Sequence, residues 1–215
     1  MEKKQPYHHR GLRGALLAEA LRSLERDGIE SLSLRGLAHA VGVSKTAPYR
    51  HFADKRALLV EMAAEGFHRF AESLESAEVG AGGAGAETAA TGSAEGPEAG
   101  GTGAPSAPVQ RLFAAYLDFA RSQPVLYHLM FSRLGYSLHS EACRLNAERA
   151  FACLDRAVKR AQAAGWRTDA EPRALALSVW AQGHGWAGLV TDGLLTPDMQ
   201  QGEGDAVTPV DALLR

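Results

Sequence analysis

The sequence predicts an all-α fold in two parts, a small N-terminal helix-turn-helix domain and a larger C-terminal helical domain. Three observations carry this. Apolar residues recur at steps of three and four, as in Leu12, Leu16, Leu17, Ala20, Leu21 and Leu24, which puts one apolar face on a helix. No stretch alternates with period two for long enough to make a convincing strand. A turn of only a few residues, Gly42 to Ser44, separates two short helical patterns, which is the signature of a helix-turn-helix.

Each element follows in order. The first helix ends near Gly28, since glycine takes the left-handed conformation past a helix end cheaply. Ser33 reads as the N-cap of a second helix with Leu34, Leu37, Ala38 and Val41 on one face. Residue 36 is glycine, so the reciprocal capping box is missing. Gly42 ends this helix and Ser44 caps a third, expected over about Lys45 to His51. Pro48 falls at its fourth position and forfeits the first intrahelical hydrogen bond. Asp54 is the expected cap of a fourth helix that carries Leu58, Met62, Phe67, Phe70 and Leu74 and runs to about residue 75.

Residues 76–108 break the pattern. They are mostly Gly, Ala, Ser, Thr, Pro and Glu, without an aromatic residue, and too little apolar surface is available there to offset the entropy of ordering a backbone. A flexible linker is the expectation. Helical patterning resumes near Pro108, with Leu112, Phe113, Tyr116, Leu117 and Ala120 in one helix. Pro124 opens the next, with Leu126, Tyr127, Met130, Phe131 and Leu134. Two longer helices are expected over about 140–164, closing at Gly165, and about 171–193. The resulting division is a helix-turn-helix domain over 8–56, a connecting helix over 57–75, the linker over 76–108, a helical domain over 109–195 and a tail over 196–215.

Composition narrows the function. The chain has 215 residues, 46% of them hydrophobic, enough for a real core. It lacks any run of about 18 apolar residues, and Met1 to Arg10 is polar and basic, unlike a signal peptide; a cytoplasmic protein is expected. Cys143 and Cys153 are the only cysteines, too few for a disulfide framework and without zinc-site spacing. They read as buried core thiols, with a redox switch as the alternative. The overall charge of −2 hides an asymmetry: residues 1–56 hold eleven Lys and Arg against six Asp and Glu, a net +5, which leaves −7 for the rest. A basic end on an acidic body suggests that the N-terminal part meets a polyanion.

The stretch "GVSKTAPYRHFADKRALL" over 42–59 supplies the parts for that meeting. A helix-turn-helix lays its second helix in the major groove while neighbouring elements grip phosphates. Lys45 and Thr46 are placed to reach base edges, lysine to guanine O6 and N7 and the threonine methyl to a thymine methyl. Tyr49, His51 and Lys55 are candidates for backbone phosphates, with Arg50 in either role; such contacts fix orientation and carry no sequence information directly. Ser33, Arg35, Ser44 and Ala47 complete the candidate DNA-binding set. The competing reading is a solvated charged face with Tyr49 and Phe52 in the core. His8 and His9 belong to a basic N-terminus that either touches DNA or is an ordinary tail.

Leu32 to Leu59, "LSLRGLAHAVGVSKTAPYRHFADKRALL", resembles the DNA-binding signature of the tetracycline-repressor (TetR) family, with Gly42, Val43, Ser44, Tyr49, His51, Phe52 and Lys55 in register. The likeness extends from about Gly11 to Phe70. Family members often carry a small residue and then Leu or Ile before the tyrosine; "TAP" at 46–48 departs from that and leaves the base preference open.

The C-terminal half resembles the subgroup named for a Trp-His-Gly pattern, through "QPVLYHLMFSRL" (123–134) and "VWAQGHGWAGLV" (179–190), which holds Trp180, His184 and Gly185. The resemblance implies a helical domain that dimerises and binds a small molecule, with no cofactor. Independently, Gly183, Gly185 and Gly188 each cost a helix roughly 1 kcal/mol relative to alanine, and close helix approach is the expected reason. The last two helices are expected to pair with their copies as a four-helix bundle, with Phe151, Leu154, Val158, Gly185, Trp186 and Leu189 at the interface. Phe113, Tyr116, Leu117, Tyr127, Met130, Phe131, Trp180 and His184 are the candidate lining of a ligand pocket or, in the plainer reading, part of a filled core. His128, His139 and His184 make no recognisable metal constellation.

The expectation is a transcriptional regulator, a homodimer on a palindromic operator that a hydrophobic or aromatic small molecule releases. The alternatives are an activator, or a sequence-specific DNA-binding protein without an effector. No nucleophile-base pair, phosphate loop or carboxylate cluster suggests an enzyme.

Overall fold

In the computed structural model the described residues are 9–79, 104–131 and 140–195, and they form seven α-helices and a short 3₁₀ turn. Residues 80–103, most of the expected linker, and the tail from 196 lie outside them, as do His8 and His139.

Helix α1 spans His9–Ser31 and buries Leu12, Leu16, Ala20, Leu21 and Leu24. Gly28 interrupts it with φ 76° and ψ 175°, after which one more turn reaches Ser31. Helix α2, Leu34–Val41, starts where Ser33 accepts a hydrogen bond from the Gly36 amide at 3.1 Å. It ends at Gly42, whose left-handed φ of 74° lets the Gly42 and Val43 amides donate to His39 and Ala38 carbonyls. Helix α3, Lys55–Val79, begins under the Asp54 carboxylate, which accepts from the Ala57 amide at 2.7 Å. Residues 76–79, expected in the linker, continue this helix.

Helices α4 (Ala107–Ser122), α5 (Pro124–Met130), α6 (Glu141–Ala163) and α7 (Pro172–Thr191) complete the described chain. Glu171 caps α7 by accepting from the Arg173 and Ala174 amides at 2.9 and 2.6 Å.

The described residues fall into two compact units, the first of 9–69, 123–131 and 140–147 and the second of 70–79, 104–122 and 148–195. In these units α5 and the start of α6 fall with the N-terminal helices. In the first unit α5 lies on α1, and Met130 and Leu126 crowd α3 at Gly66. A Cβ at Gly66 would stand 2.7 Å from both Cγ and Sδ of Met130, so only glycine admits this approach. Phe131 meets Phe67 edge-on, with ring centroids 5.3 Å apart.

In the second unit α4 packs on α7. Phe70 is the centre of an aromatic cluster, with ring centroids 4.8 Å from Tyr116, 5.1 Å from Phe119 and 6.0 Å from Trp180. Ion pairs join α3 to α6: Arg149 to Glu75 at 2.9 Å, and both Arg156 and Arg160 to Glu78 at 2.6 and 2.8 Å. Both cysteines are buried and outside any disulfide, and burial pushes each thiol's pKa up.

Candidate nucleic-acid interface

Between α2 and α3 the chain forms a bend rather than the α-helix expected over Lys45 to His51. Lys45 and Thr46 lie in a turn, and Pro48–Arg50 is a single 3₁₀ turn. The cause is local. Pro48 has no amide hydrogen to give the Ser44 carbonyl, so that oxygen accepts from the Ala47 amide at 3.0 Å, and the tighter three-residue pattern continues with Arg50 to Ala47 and His51 to Pro48. In a 3₁₀ turn residues three apart eclipse. Pro48 and His51 therefore share the inner edge, buried and half-buried, while Tyr49 and Arg50 face out.

The structure presents most of the candidate set on this surface. Arg35, Ser44, Lys45, Thr46 and Arg50 are exposed, and Tyr49 retains 48% of its accessible surface although it is a large aromatic residue. Arg35, Lys45 and Arg50 have no carboxylate partner among the described residues. Lys45 and Arg50 are thus positive charges on the turn, and Arg35 one on α2, that no ion pair among the described residues offsets. The hydroxyls of Ser44 and Thr46 lie 3.3 Å apart.

Ser33 stands at the N-cap position expected of it, and two other candidates, His51 and Lys55, are placed differently from the expectation. The Ser33 hydroxyl oxygen accepts the capping bond of α2, so its structural role is explicit. His51 Nε2 is buried without a partner among the described residues, so that atom does not stand where a phosphate would lie. Lys55 is half-buried and its Nζ donates to the Glu30 carbonyl at 3.4 Å, tying the start of α3 to the end of α1. Sequence spacing gives no sign of that tie, since the partner is a backbone atom 25 residues away. Ala47 is half-buried.

The second unit contains a cavity of about 20 Å³, room for about one water-sized sphere. Phe113, Tyr116 and Trp180 line it, as the candidate pocket set has them, and Leu154, Val179 and Gly183 contribute further wall. Leu117 is buried but does not reach it. His184 also stands outside the lining, with Nδ1 3.3 Å from the Tyr116 hydroxyl, and burial lowers its pKa. Tyr127, Met130 and Phe131 are not part of this site. They belong to the first unit, where α5 packs on α1 and α3.

The expected interface set also divides. Leu154 and Val158 are buried in their own unit, on the inner face of α6 with Ala150, Ala157 and Ala161. They are unavailable to a second copy in this arrangement. Phe151 is half-buried beneath the Arg173 guanidinium at 4.2 Å from its ring centroid, and Trp186 is half-buried with its Nε1 unpartnered among the described residues. Gly185 and Leu189 are exposed on α7, and so is Leu177, at 52%. The expected face of α6 differs from the observed one because period 3.6 identifies an apolar stripe without saying whether its cover comes from the same chain.

Among the described residues no group of three or more His, Cys, Asp or Glu is placed to hold a metal, and no helix is long and apolar enough to cross a membrane.

A capped short helix, a left-handed glycine and an exposed basic turn, on a chain whose described elements are all helical, are features of a helix-turn-helix DNA-binding protein. Comparison with known proteins specifies the family. Residues 16–62 match the family model described as bacterial regulatory proteins, tetR family, and residues 109–208 match that described as tetracyclin repressor-like, C-terminal domain. Among solved structures the chain is similar to a protein of unknown function from Rhodococcus sp. RHA1, at 33% identity over 98% of this chain and 93% of that one, with a TM-score of 0.67. It shares its fold with the fatty acid degradation regulator FadR from Bacillus halodurans (15% identity, 99% and 96% of the two chains, TM-score 0.61). The TetR family transcriptional regulator PfmR from Thermus thermophilus has the same fold (19% identity, 84% and 99%, TM-score 0.52). None of the curated proteins matches. The chain belongs to the TetR family and is a DNA-binding transcriptional regulator.

Proposed function

We propose that this chain is a cytoplasmic repressor that binds a palindromic operator as a homodimer and leaves it when a hydrophobic or aromatic small molecule occupies the second unit. Lys45 and Thr46 read base edges, and Tyr49, Arg50 and Lys55 hold phosphates. The supporting observation for the reading head is that Lys45 and Arg50 on the turn and Arg35 on α2 are exposed and without a carboxylate partner among the described residues, and that Tyr49 is exposed between Lys45 and Arg50 in the chain. Counterion release from the phosphates they neutralise supplies affinity, and base-edge contacts add discrimination. The exposed face of α7 with Gly185 and Leu189 is the surface that a second copy covers. A dimer then offers two heads to an inverted repeat. Release follows if the effector prefers one of two dimer conformations.

A second reading, a DNA-binding protein without an effector, draws support from the cavity itself. About 20 Å³ is far below the several hundred Å³ of a typical ligand pocket.

Selection of bound duplexes from a random DNA pool by the purified full chain, at near-physiological salt, tests the first reading. An enriched inverted repeat is the expected result and supplies the operator for effector screening. Enrichment of a single, unrepeated half-site would overturn the dimeric operator reading, and enrichment of nothing would overturn sequence-specific recognition.

A further inference from the structure

Gly183 lies inside α7, buried and with ordinary helical backbone angles. A Cβ there would stand 3.5 Å from Phe113 Cε2 and 3.7 Å from Tyr116 Cδ2, which is ordinary van der Waals contact. Neither backbone conformation nor crowding demands glycine at this position, in contrast to Gly66, where the nearest atoms are at 2.7 Å. Alanine would fit and would favour the helix. What the missing methyl group leaves is space, since Gly183 forms part of the cavity wall.

The rest of that wall defines the chemistry of a guest. Its side chains are aliphatic or aromatic, and none carries a charge. The Tyr116 hydroxyl is engaged with His184 at 3.3 Å. A water molecule needs two to four polar partners, and apolar cavities stay dry and take apolar guests. An unpaired carboxylate would be strongly disfavoured there. Of the lining residues, Trp180 alone is not fully buried. Its ring neighbours are Phe151 at 5.5 Å, itself beneath Arg173, Tyr116 at 5.7 Å and Phe70 at 6.0 Å. Trp180 is therefore the one wall residue with a partly exposed side chain.

We propose that Gly183 is the size-determining residue of a site in the second unit for a small, uncharged, single-ring aromatic compound, admitted by displacement of Trp180 and seated against Phe113 and Tyr116. This rests on the reading that the second unit takes a small molecule, and names the class of that molecule.

The test uses the full-length protein and three probes, benzene, toluene and benzoate, titrated calorimetrically into the natural chain, Gly183→Ala and Gly14→Ala. Gly14 is an exposed α1 residue with nothing within 4 Å of a built Cβ, and serves as the control for a glycine-to-alanine change in a helix. Toluene binds the natural chain and Gly14→Ala alike, and benzoate binds neither. Gly183→Ala raises the thermal midpoint by about 2–4 °C without ligand and weakens toluene about tenfold or more. A lowered midpoint in Gly183→Ala would mean that packing requires the glycine and would overturn the proposal. Undiminished toluene affinity in that variant, benzoate binding as tight as toluene, or no binding of either hydrocarbon would do the same. Addition of selected operator DNA separates the two readings: toluene binding that leaves DNA affinity unchanged supports the site and removes the effector role.

Discussion

The Tyr116 hydroxyl of α4 lies 3.3 Å from Nδ1 of His184 in α7, a polar contact at the edge of an aromatic cluster. Burial lowers the His184 pKa from its ordinary value of 6.5. The folded chain therefore binds this proton less readily than the unfolded chain, and stability is lost as pH falls through and below about 6.5. The natural chain should lose stability relative to His184→Phe between pH 7.5 and pH 5.5. Denaturant unfolding of both proteins across that range measures the difference. A relative gain at low pH would show that the imidazolium is the favoured form.

Glu78 shows the opposite sign. The Arg156 and Arg160 guanidiniums hold its carboxyl at about 2, with Arg156 contributing most through its hydrogen bonds. A carboxylate with a lowered folded pKa contributes stability above the ordinary value of 4.5, and that contribution fades as pH falls toward 2. Glu78→Gln should cost about 1–3 kcal/mol at pH 7, since it leaves two neighbouring cations unpaired, and much less at pH 2.5. Chemical unfolding at the two pH values checks this. An equal loss at both would assign the effect to packing.

Gly66 and Met130 give a packing prediction within the first unit. Gly66→Ala brings a methyl group to 2.7 Å from the Met130 side chain, which is fully buried and hemmed by Leu126. Overpacking of this kind costs about 1–3 kcal/mol. Pairing it with Met130→Ala should recover part of the loss expected from adding the two single effects, because the smaller side chain vacates the contested space. A double-mutant cycle by urea unfolding reads the coupling; strict additivity would contradict direct contact.

Much of this architecture is legible in the chain. Periodicity marks the helices, and Ser33, Gly42 and Asp54 mark their ends because capping is local chemistry between residues at most a few positions apart. The rest depends on what meets what. Pro48 tightens a turn that helix propensity alone reads as α-helix. Tyr127, Met130 and Phe131 have the composition of a pocket wall, yet their partners Gly66 and Phe67 come from far earlier in the chain. Leu154 and Val158 point inward rather than toward a partner for the same reason. Periodicity finds an apolar face but does not name its cover.

The basic turn yields the last prediction. Arg50→Ala and Tyr49→Ala should weaken binding about uniformly across DNA sequences. The slope of log K against log[salt] should also fall by about 0.9 for each phosphate contact an arginine or lysine loses. Tyr49 carries no charge, so its loss should lower affinity and leave the slope alone. Lys45→Ala should instead relax the preference at one base step, costing about 1–3 kcal/mol of discrimination there. Lys55 is expected to show a mixed effect. Its Nζ already donates to the Glu30 carbonyl, so Lys55→Ala should lower both the unfolding midpoint and DNA affinity. Lys45 and Arg50, exposed and without an ion-pair partner among the described residues, should affect binding alone. Equilibrium binding to a selected operator and to scrambled duplexes at several salt concentrations, with thermal unfolding of each variant, separates these outcomes. A loss of sequence preference that is the same for Lys45, Tyr49 and Arg50 would contradict the division between base reading and phosphate holding.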